Sequence, residues 1–493
     1  MRYQQYLRQR YRALLGYVGS LVGIIGIIHL IPLVVILFYP HEIQYAGAFI
    51  GVGISLMLVG YGAYRWLAPR DNINLSIQEA MVVVILVWLI ALVASALPFM
   101  PTVGLNFSQA IFESTSGWTG TGLSVVIPED MPRIILLHRS LTQLWGGAGF
   151  AIIALSAIAS PLGAGFSMAE GRTDQLAPHV RRSASIVLSI YLGYIFFGIL
   201  ALRVAGMSWF DAVNHASTAV ATGGFSTKNA SIAHFDSFAI ELVLMVLMVL
   251  GGINFLIAYT AFQGKWRAVF RSAELRLMAL IILGAAASFF FLITSHLHSP
   301  DVALRHAFFE AISPLTSTGF NVATYAEWSD FGIALSALLM LLGGGIGSTS
   351  GGVKLLRVYI LYKGIKWEIR RAFLPQHTVN EPHIWQGERR ETLNDHLMRQ
   401  VFVFMAAFTV VYLFGVGMML AHGYGLRESV FEVASAIGTA GLSTGITQPN
   451  MPEVLLWSQS IVMLLGRLEF YAVFIGLAKL FQDLYQIAKR KPH

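Results

Sequence analysis

The sequence predicts an all-α polytopic membrane protein: two N-terminal spans, then four parallel helix–pore-loop–helix repeats around a central pore. Three observations carry this expectation. The 493 residues are 56% hydrophobic and only 12% charged, about half the charge of an ordinary soluble chain, and the mean hydropathy is +0.66. Apolar stretches of about 20 residues, long enough to cross a bilayer, recur along the whole length. Between them lie four short segments that are variations on one theme.

The N-terminus, MRYQQYLRQRYR, is basic and runs into a long apolar segment. That segment is too long for a secretory signal and lacks a small-residue cleavage pattern, so it is expected to be a retained first span. Spans are expected over residues 14–38, 45–67, 79–99, 134–159, 183–204, 238–262, 275–297, 331–359, 401–422 and 454–481. Ten spans put both termini on the cytoplasmic side, and the basic C-terminus AKRKPH agrees. The 33 Lys and Arg follow the positive-inside rule. Arg133, Arg203, Lys228, Arg305 and Arg427 fall on the opposite side, Arg139 and Arg467 within spans, and the rest on the side of the N-terminus. Acids outnumber bases on the outer side, which would concentrate cations at the mouth; equally, acids are tolerated there, because Lys and Arg set orientation. The net charge of +7 therefore says nothing of nucleic acid, and no such partner is expected. The absence of cysteine excludes thiol redox chemistry and Cys-ligated zinc.

The four segments are Phe112-ESTSGWTGT-Gly122, Asn214-HASTAVATG-Gly224, Phe309-EAISPLTST-Gly319 and Phe431-EVASAIGTA-Gly441. Aligned without gaps, each has a glycine ten residues after its start, followed by Leu or Phe. The glycines lie 102, 95 and 122 residues apart, a repeat of about 100 residues. As a helix, residues 107–118 would cover roughly 18 Å, about half a membrane. The expectation is a re-entrant half-helix that returns as an extended loop, tolerated because it is buried in protein or lines water. Glycine at 122, 224, 319 and 441 allows successive carbonyls to face one axis, where they can replace the water around a cation. In the second segment Gly223 competes for this place, but the gapless register favours Gly224. The rival reading, a small-residue helix-packing surface, would have to recur four times in register.

These segments resemble the selectivity loops of the Trk/Ktr/HKT superfamily of potassium transporters. The two extra N-terminal spans, His138-RSLTQLWGGA-Gly149, Gly251-GIN-Phe255 and Gly466-RLE-Phe470 are similar to the TrkH/TrkG branch, and the resemblance covers nearly the whole chain. It implies a K⁺-binding filter at Thr119, Gly120, Thr121, Gly122, Thr222, Gly223, Gly224, Ser317, Thr318, Gly319, Thr439, Ala440 and Gly441. K⁺ would be the transported ion and no cofactor would be tightly bound. In the superfamily a serine at the first glycine goes with Na⁺ transport; glycine at all four favours K⁺. One departure stands out. First loops of the branch usually read Thr-Thr-Thr-Gly, whereas Gly120 sits between Thr119 and Thr121, which predicts a looser first loop.

The eighth span contains LLGGGIGSTSGGVK, residues 341–354. Glycine inside a helix costs about 1 kcal/mol relative to alanine, so the helix is expected to break and leave a strip facing the pore. The resemblance implies an intramembrane gate formed by Gly343, Gly344, Gly345, Gly347, Ser348, Thr349, Ser350, Gly351, Gly352 and Lys354, together with Arg467. The family commonly has glycine where Ser350 stands. Lys354 is followed by Leu355, not Ser or Thr, so this is not a nucleotide-binding P-loop. A structural kink and an intramembrane serine hydrolase using Ser348 or Ser350 are the alternatives. The hydrolase needs a nearby base, and His29, His138 and His422 lie far along the chain.

Arg467 lies roughly 20 Å into the last span. A charge there usually faces a pore or a partner. The resemblance implies an electrostatic barrier below the filter; the alternative is an ion pair with an acid such as Glu469. Arg139, nearer the outer end of its span, is expected to anchor packing.

Residues 1–70 are thus assigned to the N-terminal spans, 71–170 to repeat 1, 171–266 to repeat 2, 267–362 to repeat 3 with its broken helix, 363–398 to a cytoplasmic linker and 399–493 to repeat 4. The linker is basic, a common contact for anionic lipid. The resemblance implies more: a homodimer in the bacterial cytoplasmic (inner) membrane, with a pore in each protomer, resting on a separate cytosolic nucleotide-binding subunit of TrkA type. The expected function is K⁺ uptake through a channel-like pore. A K⁺–H⁺ or K⁺–Na⁺ symporter is the rival, although such carriers usually show inverted repeats with midplane ionisable residues.

Overall fold

The computed structural model describes residues 2–68, 76–149, 180–325, 328–373, 383–386 and 389–488. Helices dominate. The N-terminal pair is α1 (Arg2–Leu30) and α2 (Ala46–Leu67). They pack so closely that a Cβ on Gly19 or Gly26 of α1 would lie within 3 Å of α2 backbone, and one on Gly60 of α2 within 3 Å of α1, the small-residue packing of membrane helices.

Each repeat has a first helix, a pore helix and a second helix. In repeat 1 these are α3 (Ile77–Ala96), α4 (Phe107–Thr119) and α5 (Arg133–Gly147). Repeat 2 contains α6 (Val180–Val204), α7 (Trp209–Val220), α8 (Phe238–Gly252) and α9 (Phe255–Phe262). Repeat 3 contains α10 (Ala273–Phe289), α11 (Pro300–Leu315), α12 (Asp330–Leu342) and α13 (Leu355–Arg371). Repeat 4 contains α14 (Asp395–Ala421), α15 (Leu426–Ile437), α16 (Glu453–Arg467) and α17 (Tyr471–Ala488). Two of the pore helices start at side-chain caps: Asn106 and Gln109 form a reciprocal capping box on α4, and Ser208 accepts from Asp211 N on α7.

The four repeats close a ring. Each pore helix packs on the second helix of the repeat before it: α7 on α5, α11 on α8, α15 on α12, and α4 back on α16. The pore helices are therefore surrounded by protein, and from Ala110 to Thr119 every residue of α4 is buried although many are Ser, Thr or Gly. On the outside, Leu58, Phe197, Leu280, Phe402 and Leu413 are exposed; apolar surface of this extent belongs against lipid.

Among the described residues six helices are long and apolar enough to cross a membrane. The expected sixth and tenth spans are not straight. α8 and α9 meet at 106°, and α16 and α17 at 104°. At the first bend Gly251 and Gly252 end α8, Ile253 is extended, and Asn254 caps α9 by accepting from Leu256 N at 2.7 Å. Glu469 and Phe470 hold positive φ of 55° and 54° at the other bend. The eighth span breaks between Leu342 and Leu355, as its glycines predict. Residues 150–159 of the expected fourth span lie outside the described residues. The polar segment is shorter than 363–398 as an irregular stretch: α13 continues to Arg371, and His383–Gln386 (β1) pairs antiparallel with Arg389–Thr392 (β2).

Candidate ion-conduction site

All four pore helices end in one and the same turn. The N–H of Thr121, Gly223, Thr318 and Ala440 donates back to the carbonyl of Ser116, Thr218, Ser313 and Ser435, at 2.8–2.9 Å. This six-to-one bond is the Schellman helix ending, whose C′ residue is left-handed and usually glycine. Here the left-handed residues are Gly120 (φ 68°), Thr222 (50°), Ser317 (54°) and Thr439 (50°). The departure at Gly120 thus falls where glycine fits best, and the other three loops carry the less favourable residue.

Two positions later come the theme glycines, again left-handed: Gly122 (φ 95°), Gly224 (74°), Gly319 (87°) and Gly441 (80°). Gly223 has no positive φ, so the gapless register is the structural one. A Cβ on Gly122 would lie 2.3 Å from the Gly223 carbonyl oxygen, one on Gly224 2.0 Å from that of Thr318, one on Gly319 1.8 Å from that of Ala440, and one on Gly441 2.2 Å from that of Thr121. Each glycine meets the carbonyl preceding the glycine of the next repeat, and the fourth meets the first. Four loops of one chain therefore close a ring of backbone about a common axis.

Opposite loops match in side chains. Thr119 and Thr121 share a hydroxyl–hydroxyl bond of 2.7 Å in loop 1, and Thr316 and Thr318 share one of 2.7 Å in loop 3. Loops 2 and 4 have small residues there: Ala221 and Gly223, Gly438 and Ala440. Thr316 was not among the sequence candidates, yet the spacing Thr-x-Thr-Gly marks it.

Sequence reasoning also missed the residue that braces each loop. It is the second residue of the theme: Glu113, His215, Glu310 and Glu432. Glu113 accepts from Ser124 Oγ at 3.0 Å and Val125 N at 3.1 Å. Glu310 accepts from Val322 N at 2.9 Å and from the Tyr325 hydroxyl. Glu432 accepts from Ser443 Oγ at 2.6 Å, Thr444 N at 2.8 Å and Thr447 Oγ1 at 2.7 Å. His215 Nε2 bonds Ser226 Oγ at 2.9 Å. In every repeat a partner lies eleven or twelve residues downstream, and Tyr325 and Thr447 add a second one fifteen downstream, so each brace ties the body of the pore helix to the chain leaving the loop. An acid directly after the leading Phe in three of the four segments was the available signal.

Arg139 does more than anchor packing. Buried to 2% exposure, it donates to Glu113 at 2.7 Å and to Ser124 Oγ at 2.9 Å, and its guanidinium stacks 3.9 Å from the Phe225 ring centroid. It therefore binds loop 1 to loop 2. Gln143, one turn along α5, donates to the Gly223 carbonyl at 2.5 Å and accepts from Phe225 N at 3.0 Å.

The broken helix of repeat 3 runs beneath these loops. Gly343 (φ 71°), Gly347 (72°) and Gly352 (74°) turn the chain, and Lys354 shares this left-handed conformation at 79°. Gly345 N donates to Gly252 O at 2.8 Å, Ile346 N to Glu274 at 2.6 Å and Thr349 N to Gly251 O at 3.2 Å. Thr349 Oγ1 is 3.0 Å from Val220 O, Gly251 O and Thr222 Oγ1. A Cβ on Gly351 would lie 2.0 Å from Thr439 Oγ1. The strip thus spans from loop 2 to loop 4. Ser348 Oγ donates to Gly345 O at 2.6 Å and lies 2.7 Å from Ser350 Oγ, while Lys354 Nζ donates to the Ser350 carbonyl.

Arg467 is where α16 stops. It donates to Thr349 O at 2.6 Å and to Gly146 O and Gly147 O at 2.7 and 3.1 Å. It joins the strip to the carbonyl end of α5, where the helix dipole is negative. The alternative, an ion pair with Glu469, is not formed among the described residues: Glu469 pairs with Arg357. Arg467, Lys354, Ser348, Ser350 and Gly351 line one small cavity.

Comparisons with known proteins agree over the whole length. The TrkH family model, described as a cation transport protein, matches residues 49–486. The Trk system potassium uptake protein TrkG of Escherichia coli K12 is 31% identical over 477 residues, covering 93% of this chain and 96% of TrkG. An uncharacterized cation transporter of Methanocaldococcus jannaschii, MJ1485, is 29% identical over 481 residues, 97% of each chain. The crystal structure of the potassium transporter TrkH from Vibrio parahaemolyticus superposes with a TM-score of 0.83 at 26% identity, covering 96% of this chain and 99% of that one. With its ring of four pore loops and this continuous likeness, the chain belongs to the TrkH family of cation transport proteins.

Proposed function

We propose that this chain is the membrane subunit of a potassium uptake system of the Trk type, as its relatives TrkG and TrkH are named. The observation that carries the reading is the closed ring of filter glycines, each left-handed and each against a neighbour's carbonyl. Backbone oxygens so gathered can replace the hydration shell of a monovalent cation. The filter comprises Thr119–Gly122, Thr222–Gly224, Ser317–Gly319 and Thr439–Gly441, and K⁺ is the transported ion. Below it, the strip from Gly343 to Lys354 and Arg467 form the gate. A fixed guanidinium charge opposes cation passage until it withdraws or is screened. The protein sits in the cytoplasmic membrane with both termini inside and works as a homodimer, each copy with its own pore. The basic face between α13 and α14 receives a cytosolic nucleotide-binding subunit.

The test is ⁸⁶Rb⁺ flux into liposomes holding the purified protein. Uptake driven by membrane potential alone, blocked by excess K⁺ but not by Na⁺, is expected. Uptake that requires a proton or sodium gradient would replace the passive pore by a symporter in which the ring is a binding site.

A further inference from the structure

The two N-terminal helices stand outside the four repeats, yet a buried polar chain runs from them to the first filter loop. His29 of α1, Ser95 of α3 and Trp118 of α4 are each no more than 1% exposed. Trp118 Nε1–H donates to Ser95 Oγ at 2.8 Å, and Ser95 Oγ lies 3.1 Å from His29 Nε2. His29 Nδ1 lies 2.8 Å from the Ile25 carbonyl. A carbonyl only accepts, so Nδ1 carries the proton and Nε2 accepts from the Ser95 hydroxyl. Every link then has a single direction, from Trp118 through Ser95 and His29 to the backbone of α1.

The place where this chain ends matters. Trp118 directly precedes Thr119, the first residue of the filter loop. The other pore helices carry Val220, Leu315 and Ile437 at this position, none with a polar group to donate. Loop 1 also differs at its left-handed turn. Thr222 Oγ1 reaches Thr349 of the strip, and Thr439 Oγ1 lies over Gly351. Gly120 has no side chain to make such a tie, and its backbone is the least restricted of the four. Ser317 Oγ of loop 3 makes no hydrogen bond among the described residues either; of the two loops without this tie, loop 1 is the one with a tryptophan bound from behind. His138 of α5 completes the setting: its ring lies 5.5 Å from that of His29, and its Nε2 donates to the Ser95 carbonyl at 3.1 Å.

We infer that His29, Ser95 and Trp118 are positioning residues for ion selectivity, through which the N-terminal helices fix filter loop 1. The inference rests on the potassium-uptake reading. A ring of carbonyls discriminates between cations only while all four loops hold their places. Loss of the chain relaxes one loop in four, so discrimination suffers before the fold does.

The experiment compares ⁸⁶Rb⁺ with radiolabelled Na⁺ uptake in liposomes holding the full chain. Trp118→Phe keeps the ring and removes only the donor; Ser95→Ala removes the relay. Each should lower the Rb⁺/Na⁺ ratio about three- to tenfold, the range an ordinary hydrogen bond spans. The double variant should fall no further than the lower single one, because one chain is broken once. His29→Leu should act like Ser95→Ala, and His29→Gln, which keeps an acceptor, should regain most of the ratio. A wild-type ratio in a monodisperse Trp118→Phe protein overturns the inference, as does full additivity in the double variant. Should His29→Leu not fold, Trp118→Phe and Ser95→Ala decide the matter alone. A wild-type protein that does not discriminate would instead overturn the uptake reading itself.

Discussion

The glycines at 122, 224, 319 and 441 are the residues with least latitude. A methyl group at Gly319 would stand 1.8 Å from the Ala440 oxygen, and the left-handed backbone adds about 1–2 kcal/mol for any other L-residue. Gly319→Ala should therefore abolish ⁸⁶Rb⁺ uptake while the protein still inserts; retained uptake would show that the ring does not conduct. Two residues earlier the same backbone is held by Thr222, Ser317 and Thr439 at the cost that Gly120 avoids. Thr222 has a reason to be there, since its hydroxyl meets Thr349. Thr222→Gly should keep the helix ending but free the strip, raising flux of the isolated protein, and Thr349→Val should do the same. Both are read in the liposome assay. The Glu113–Arg139 pair is buried on both sides. Removing one partner leaves an uncompensated charge, so Glu113→Leu should lower stability by about 3–5 kcal/mol, measurable as an earlier thermal unfolding midpoint. Adding Arg139→Met should recover part of it.

At the level of elements, the second helix of repeats 2, 3 and 4 is broken at one height. Gly251, Gly343 and Gly466 follow their filter glycines by 27, 24 and 25 residues. In repeats 2 and 4 the reason is steric. A Cβ on Gly251 or Gly466 would lie 2.5 or 2.2 Å from the carbonyl of Val220 or Ile437, at the end of the pore helix of the same repeat. Gly146, at the corresponding place in repeat 1, meets Trp118 O at 1.9 Å. Second helices are thus drawn onto pore helices where the filter begins, and the chain must turn there. Repeat 3 spends this break on the strip. Repeat 4 puts Arg467 beside its glycine, where repeats 1 and 2 have Gly147 and Gly252. Arg467→Ala removes the bonds to Thr349, Gly146 and Gly147 and one charge beside the strip, and should raise ⁸⁶Rb⁺ flux. Unchanged flux in a well-expressed variant would show that Arg467 only supports the fold.

For the whole molecule, one consequence stands out: the ring is closed within one chain, each pore helix packing on the preceding repeat and the first on the last. A pore so built needs no second copy to be complete. On the proposed reading each ring conducts by itself, so in a tandem-linked pair of copies, one carrying Gly319→Ala, about half of the ⁸⁶Rb⁺ flux should survive. Loss of nearly all flux would mean that the pathway is shared between copies.

Composition, the spacing of apolar stretches and the four gapless segments determined the class of fold, the number of repeats and the four left-handed loop glycines, because span length and glycine-only backbone are local properties that a sequence displays directly. The break in the eighth span was legible for the same reason. The bends after Gly252 and Gly466 were not, since one or two glycines in an apolar run cost too little to announce a turn of about a right angle; only the approach of the pore helix of the same repeat forces it. The braces at Glu113, Glu310 and Glu432, the partners of Arg139 and Arg467, and the path from His29 to Trp118 join residues between 11 and 321 positions apart. Such contacts depend on how each loop folds back on its own pore helix and on how the repeats close into a ring, and both belong to the tertiary structure alone.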